Sequence, residues 1–179
     1  MEQSLKTIQN RLFYINKIVV DLQDFAKNLK PNIEKINFHE IVKNQLHELS
    51  IPENVKVRVS IETNFPELNL DRSYLERILT NLLMNSFQAM PDGGEITISA
   101  ILRDNNALMS IKDTGIGISK SSQKKIFTPL FTTKSKGQGF GLAVVKKLTE
   151  AMNGSISFES EVDKGSQFTL EFPLERKKE

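Results

Sequence analysis

Three short segments constrain the fold of this chain more than anything else in it: Asn81-Leu82-Leu83-Met84-Asn85, Asp113-Thr114-Gly115-Ile116-Gly117 and Gly137-Gln138-Gly139-Phe140-Gly141-Leu142. The first places two amides one turn apart within helical apolar spacing, so both leave the helix on one face. The second is an Asp-led glycine turn after a run with strand character. The third is a glycine loop that opens another apolar helix. Each is common alone and usually structural. Their conjunction describes a pocket built from a polar helix face, a strand end and a glycine-opened helix.

The remaining periodicity supplies the frame. Phe38, Ile41, Val42, Leu46 and Leu49 predict a helix, and residues 50–54 a loop. Val55, Val57, Val59 and Ile61 then alternate with Lys56, Arg58, Ser60 and Glu62, the pattern of a strand with one buried and one wet face. Asp71 is a suitable cap for a helix running to Met90, with Leu75, Ile78, Leu79, Leu82, Leu83 and Phe87 on its core side. Ile96 to Leu102 and Leu108 to Lys112 read as strands joined by a turn at Asn105-Asn106. A third core helix is expected from Phe140 to Asn153, closed by a left-handed Gly154. Ser155 to Glu161 and Gln167 to Phe172 follow as a hairpin around Asp163-Lys164-Gly165. The expected class is α+β, a two-layer sandwich with a mixed β-sheet and three helices on one face.

Residues 1–30 differ in kind. Leu5, Ile8, Leu12, Ile15, Val19, Leu22, Ala26 and Leu29 advance in steps of three and four, the spacing of a long amphipathic bundle or coiled-coil helix. Ile18 and Phe25 widen the stripe beyond a two-stranded seam, and Pro31 ends it. The expected organisation is therefore a helix over 1–30, a linker over 31–36, a domain over 37–174 and a charged tail over 175–179. A length of 179 residues suits one packed domain with such an arm.

Composition removes several function classes. A net charge of +2 with no basic block except the short Arg176-Lys177-Lys178 end argues against nucleic acid as a partner. Zero cysteines exclude a disulfide framework and cysteine metal sites, and fit a reducing compartment. No apolar run approaches the roughly 20 residues of a membrane span, so a cytoplasmic location is expected, although a longer parent protein can still be membrane-anchored.

On these three segments the chain resembles the ATP-binding catalytic domain of sensor histidine kinases, within the GHKL superfamily that also holds the gyrase, Hsp90 and MutL ATPases. The resemblance is strong from Asp71 to Phe172. It implies ATP and Mg2+ as ligands, with Asn81, Asn85, Asp113, Gly115, Gly117, Thr133, Lys134, Gly137, Gly139, Gly141, Leu142 and Ser166 lining the nucleotide site and Asn85 ligating the metal. Two amides on an apolar helix either hold loops or serve a ligand, and the glycine motifs downstream favour the second. Glycines at 115 and 117 remove side chains where a flat base approaches, and the Asp113 carboxylate can accept a hydrogen bond from the adenine amine. Amides of the glycine loop and the following helix start suit phosphates. Lys134 is the first candidate for a side-chain phosphate contact and Thr133 the second. Phe127 and Phe131 either anchor a lid or simply pack. Gly165-Ser166-Gln167-Phe168 resembles the final adenine-side turn.

Hydrolases of the superfamily carry a glutamate one turn before the metal asparagine; here Asn81 stands there, which favours phosphoryl transfer over hydrolysis. Of the two histidines, His39-Glu40 mimics an acceptor pair but begins the domain's own first helix, so both His39 and His47 read as surface residues. The stretch from Arg11 to Lys27 resembles the second helix of a dimerisation hairpin, with the acceptor histidine expected on a first helix outside this sequence. The implied partners are a response regulator, a second copy through the N-terminal helix, and an upstream sensor domain. Two other classes share features: an anti-sigma-factor-type serine/threonine kinase shares the pocket, and a non-catalytic dimerisation and regulator-binding module shares the helix.

Overall fold

A computed structural model of the chain describes residues 29–133 and 139–174. Residues 1–28 of the helix expected over 1–30, the loop residues Lys134 and Gly137, and the tail over 175–179 lie outside the described residues, and Leu29 and Lys30 are not helical. Seven strands are described, β1 (Glu34–Ile36), β2 (Val55–Ile61), β3 (Leu68–Leu70), β4 (Gly94–Arg103), β5 (Asn106–Asp113), β6 (Ser155–Glu161) and β7 (Gly165–Pro173), with helices α1 (Phe38–Glu48), α2 (Arg72–Ala89), α3 (Lys120–Gln123) and α4 (Gly141–Ala151). A five-stranded mixed sheet runs β2-β4-β5-β7-β6, and β1 pairs with β3 in a separate two-stranded sheet. Only β2 with β4 is parallel; the other pairs are antiparallel.

Burial alternates along β4, β5 and β7, as a half-buried antiparallel sheet requires. Ile96, Ile98, Ala100, Met109, Ile111, Leu170 and Phe172 on its inner face meet Leu75, Ile78, Leu79, Leu82 and Leu83 of α2 in one core. Each large side chain buried this way contributes about 1.5–3 kcal/mol. This is the expected α+β sandwich with α1, α2 and α4 as its helical layer. Strand β2 departs from its alternation: Val55 is buried, whereas Val59 is 43% exposed, because β2 is the sheet edge.

Local signals fix the helix starts. Asn37 Oδ1 accepts from the Glu40 amide (3.2 Å) at the start of α1. At α2, Asp71 accepts from the Tyr74 amide (3.0 Å) and the Ser73 hydroxyl (2.7 Å), and also from the Asn32 amide (2.7 Å), 39 residues away. The stretch read as a linker is thus partly folded onto the domain, through this bond and through β1. Burial alone raises the Asp71 pKa, but the Ser73 hydroxyl and the amides of Tyr74, Asn32 and Ser73 outweigh it, holding the carboxyl below its ordinary value.

Two turns correct the reading of the sequence. The β4–β5 turn is at Asp104-Asn105, both left-handed (φ 50° and 63°), and Asn106 already belongs to β5. After α4 the left-handed residue is Asn153 (φ 62°), not Gly154. Glycine is required at 154 for another reason: an added Cβ would lie 2.5–2.6 Å from the Phe172 ring. Among the described residues, no helix is long and apolar enough to cross a membrane.

Candidate functional site

Helix α2 brings the two asparagines to the start of α4. Asn81 Nδ2 donates to the Arg77 carbonyl one turn back (2.9 Å). Its oxygen faces Gly141, where an added Cβ would lie 3.3 Å from Asn81 Oδ1 and 3.8 Å from Asn85 Nδ2. Lacking a side chain, Gly141 lets the helix start sit directly against both amides. The residue at the N-cap of α4 is Phe140, whose side chain cannot cap, and the first amide groups of a helix are donors that suit an anion. Gly139, at φ 73°, packs on the backbone of Leu130 and Phe131, and Leu142 is half-buried against the core. Thr133, the last residue described before the loop, is exposed.

Asp113 ends β5, opposite Ser166 of β7. It is 3% exposed, and both oxygens are engaged. Oδ1 accepts from the amides of Gly115 (2.9 Å) and Ser166 (3.2 Å), while Oδ2 accepts from the Ser86 hydroxyl of α2 (3.2 Å). The neighbouring glycines have a packing role of their own. A Cβ on Gly115 would lie 2.6–2.7 Å from the carbonyl oxygen and Cβ of Ala89. Left-handed Gly117 packs on the Glu161 carbonyl and left-handed Gly165 on that of Asp113. What these glycines permit is contact between backbones, which draws α2, β6 and β7 around Asp113.

The segment before the loop is anchored on the sheet. Phe127 meets Phe158 edge-on (centroids 5.8 Å apart), Phe158 stacks on Phe168 (5.9 Å), and the Lys146 ammonium lies 5.9 Å from the Phe127 centroid. Phe131 packs on the same core. His39 and His47 are both exposed. His39 lines a cavity of about 210 Å³ with Glu62, Thr63 and Phe65 among others, none of which belongs to the set above.

Ser86 and Ser160 are polar residues of this region that sequence reasoning passed over. Ser160 Oγ accepts from the Ile118 amide (2.8 Å), donates to the Gly165 carbonyl (3.0 Å) and lies 2.9 Å from Ser166 Oγ. For Ser86 a signal existed: it follows Asn85 and interrupts the apolar face of α2 between Leu83 and Phe87.

A buried strand-end carboxylate, two helix amides and a glycine helix start are thus gathered around α2. Residues 70–176 match the family described as histidine kinase-, DNA gyrase B- and HSP90-like ATPase. The chain belongs to this family, and ATP is the nucleotide that the family implies. The sensor histidine kinase ZraS of Escherichia coli strain K12 is 32% identical over 163 residues, 89% of this chain and 35% of that protein. The chain therefore spans about a third of the length of that relative. Among solved structures, the catalytic domain of histidine kinase ThkA aligns with a TM-score of 0.72 at 26% identity, over 80% of this chain and 96% of that one. ThkA in complex with the response regulator protein TrrA aligns with a TM-score of 0.80 at 24% identity, over 97% and 51% respectively.

Proposed function

We propose that this chain is the ATP-binding and phosphoryl-donating part of a two-component sensor histidine kinase. The observation that carries the proposal is the convergence of Asn81 and Asn85 on the helix start at Gly141. Asp113 is assigned to the adenine amine, the amides from Gly139 to Leu142 to the phosphates, with Gly137, Lys134 and Thr133 completing that side. Gly115, Gly117 and Ser166 hold the base side in shape.

Magnesium fits this donor set through Asn85, whose neutral amide oxygen suits a hard cation that keeps most of its waters. When bound, the ion neutralises charge on the β- and γ-phosphates. Asn81 stands at the position from which a carboxylate would activate water, and an amide cannot take up that proton. The γ-phosphoryl group is therefore kept for another nucleophile. An imidazole nitrogen of the acceptor forms the new bond to phosphorus as the bond to the β–γ bridging oxygen breaks, and ADP leaves. The phosphoryl group then passes to an aspartate of a response regulator.

In this reading residues 37–174 form the catalytic domain, 31–36 connect it, and 1–30 are the second helix of a hairpin that pairs with a second copy. The acceptor histidine lies on the other helix of that hairpin, and a sensor domain belongs to the same parent protein. Acceptor and donor can be tested separately. The chain with γ-labelled ATP and magnesium is expected to label a supplied acceptor hairpin, to leave His39 unlabelled and to release phosphate slowly. Asn85→Ala should abolish the magnesium dependence of ATP binding. Rapid hydrolysis with no transfer, or stable label on His39, would overturn the proposal.

A further inference from the structure

Inside a helix, a buried hydroxyl ordinarily bonds back to the carbonyl four residues earlier. Among the described residues, the buried Thr149 Oγ1 does so, donating to the Val145 carbonyl (2.7 Å), and the half-buried Thr80 Oγ1 lies 2.9 Å from the Glu76 carbonyl as well as 2.7 Å from Gln45 Oε1. Ser86 does not. It is 2% exposed, and its described hydrogen bond leaves the helix for Asp113 Oδ2, 27 residues away. Burying a hydroxyl is costly unless it is bonded, so its partner is the reason for its place.

The geometry at Asp113 says what that partner gains. Two backbone amides hold Oδ1, but a carboxylate held at one oxygen still swings about that point. Ser86 engages the second oxygen and thereby fixes the plane. The 3.2 Å separation exceeds the 2.7–2.8 Å usual for O–H···O, so the bond orients Oδ2 without saturating it. A carboxylate oxygen accepts two hydrogen bonds, which leaves Oδ2 one direction for a further donor.

We propose that Ser86 is a positioning residue that aims the free acceptor direction of Asp113 and so sets the requirement for a 6-amino group on the bound purine. The proposal rests on the reading of Asp113 as the adenine acceptor. Its test compares ATP with purine riboside triphosphate, which lacks only the 6-amino group, in the wild type, Ser86→Ala, Ser86→Thr and Asp113→Asn. The ratio of the two dissociation constants isolates the amino contact, because general damage to the pocket weakens both ligands equally. The wild type should favour ATP by about tenfold or more, as expected for a hydrogen bond to a charged group. Ser86→Ala should shrink that ratio at least about threefold, and Ser86→Thr, which keeps the hydroxyl, should restore it. Thermal unfolding without nucleotide checks that each variant is folded. A ratio that Ser86→Ala leaves unchanged while Asp113→Asn abolishes it would overturn the role of Ser86 and leave Asp113 in place. A wild type indifferent to the amino group would overturn both.

Discussion

Replacing Asp113 with asparagine changes one atom of the site and inverts its hydrogen-bonding character. The amides of Gly115 and Ser166 require an acceptor at Oδ1, so the asparagine oxygen takes that place and its Nδ2 takes that of Oδ2. Ser86 tolerates the exchange, since a hydroxyl accepts as readily as it donates. The fold should therefore lose only about 1 kcal/mol, the net worth of an ordinary hydrogen bond. ATP loses more. Its amine forfeits a bond to a charged acceptor and meets an N–H in its place, which costs about 1.5–3 kcal/mol, or roughly a 10- to 100-fold rise in Kd. A 6-oxo purine such as that of ITP presents an acceptor to the new donor and should bind the variant better than it binds the wild type. Calorimetric titration of both proteins with ATP and ITP in magnesium, beside thermal unfolding without nucleotide, separates recognition from stability. If the ATP to ITP preference is the same in both proteins, Asp113 does not read the base.

Three other outcomes follow from the packing and the charge. The folded-state pKa of Asp71 lies below the ordinary aspartate value of 3.8, so its contribution to stability is present above that value and is lost as pH falls through the lowered one. Asp71→Ala should cost about 1 kcal/mol near neutral pH, and acid unfolding curves should show wild type and variant converging below pH 3.8. Gly154→Ala should destabilise the domain by about 1–3 kcal/mol through contact with the Phe172 ring, measured by denaturant unfolding. The apolar stripe over residues 5–29 should drive concentration-dependent association in sedimentation, weakened by Ile15→Asp; a strict monomer would contradict the proposed hairpin pairing.

The elements were legible where one periodicity dominates. Helix α2 announced itself through its apolar face and the Asp71 cap, and β4, β5 and β7 through alternation, because each is buried on one side only. What remained hidden depends on contacts distant in sequence. Strands β1 and β3 are three residues each, too short for any period, and exist by pairing Glu34 with Leu70, 36 positions further along the chain. Val59 carries the alternation of a buried face, yet nothing local marks β2 as the edge. The glycines at 115, 117 and 165 could be recognised as necessary, whereas the backbone each one meets could not be. At the site, the motifs marked Asn81, Asn85 and Asp113, while Ser86 was marked only by its break in the apolar face of α2, and its partner 27 residues away needed three-dimensional structure.

Helix α2 unites these features. Its 18 residues, about 27 Å of helix, begin at the linker and end beneath the Asp113 turn. At the first end Arg72 lies within 3.5–3.9 Å of Glu34, Glu40 and Glu76, but these partly exposed pairs contribute little. The buried Asp71, with its bond to the Asn32 amide, is the stronger anchor of the connecting segment. At the other end Ala89 receives the Ile116 amide (3.1 Å) and packs on Gly115. Between them stand Asn81, Asn85 and Ser86. Asn32 and the Asp113 turn are thus attached to opposite ends of one helix, which between them carries the Asn81 and Asn85 amides. A helix packed on its core side by Leu75, Ile78, Leu79, Leu82 and Leu83 moves as a unit, so the spacing between the Asp71 anchor, the two amides and Ser86 is set by α2 itself rather than by the loops around it.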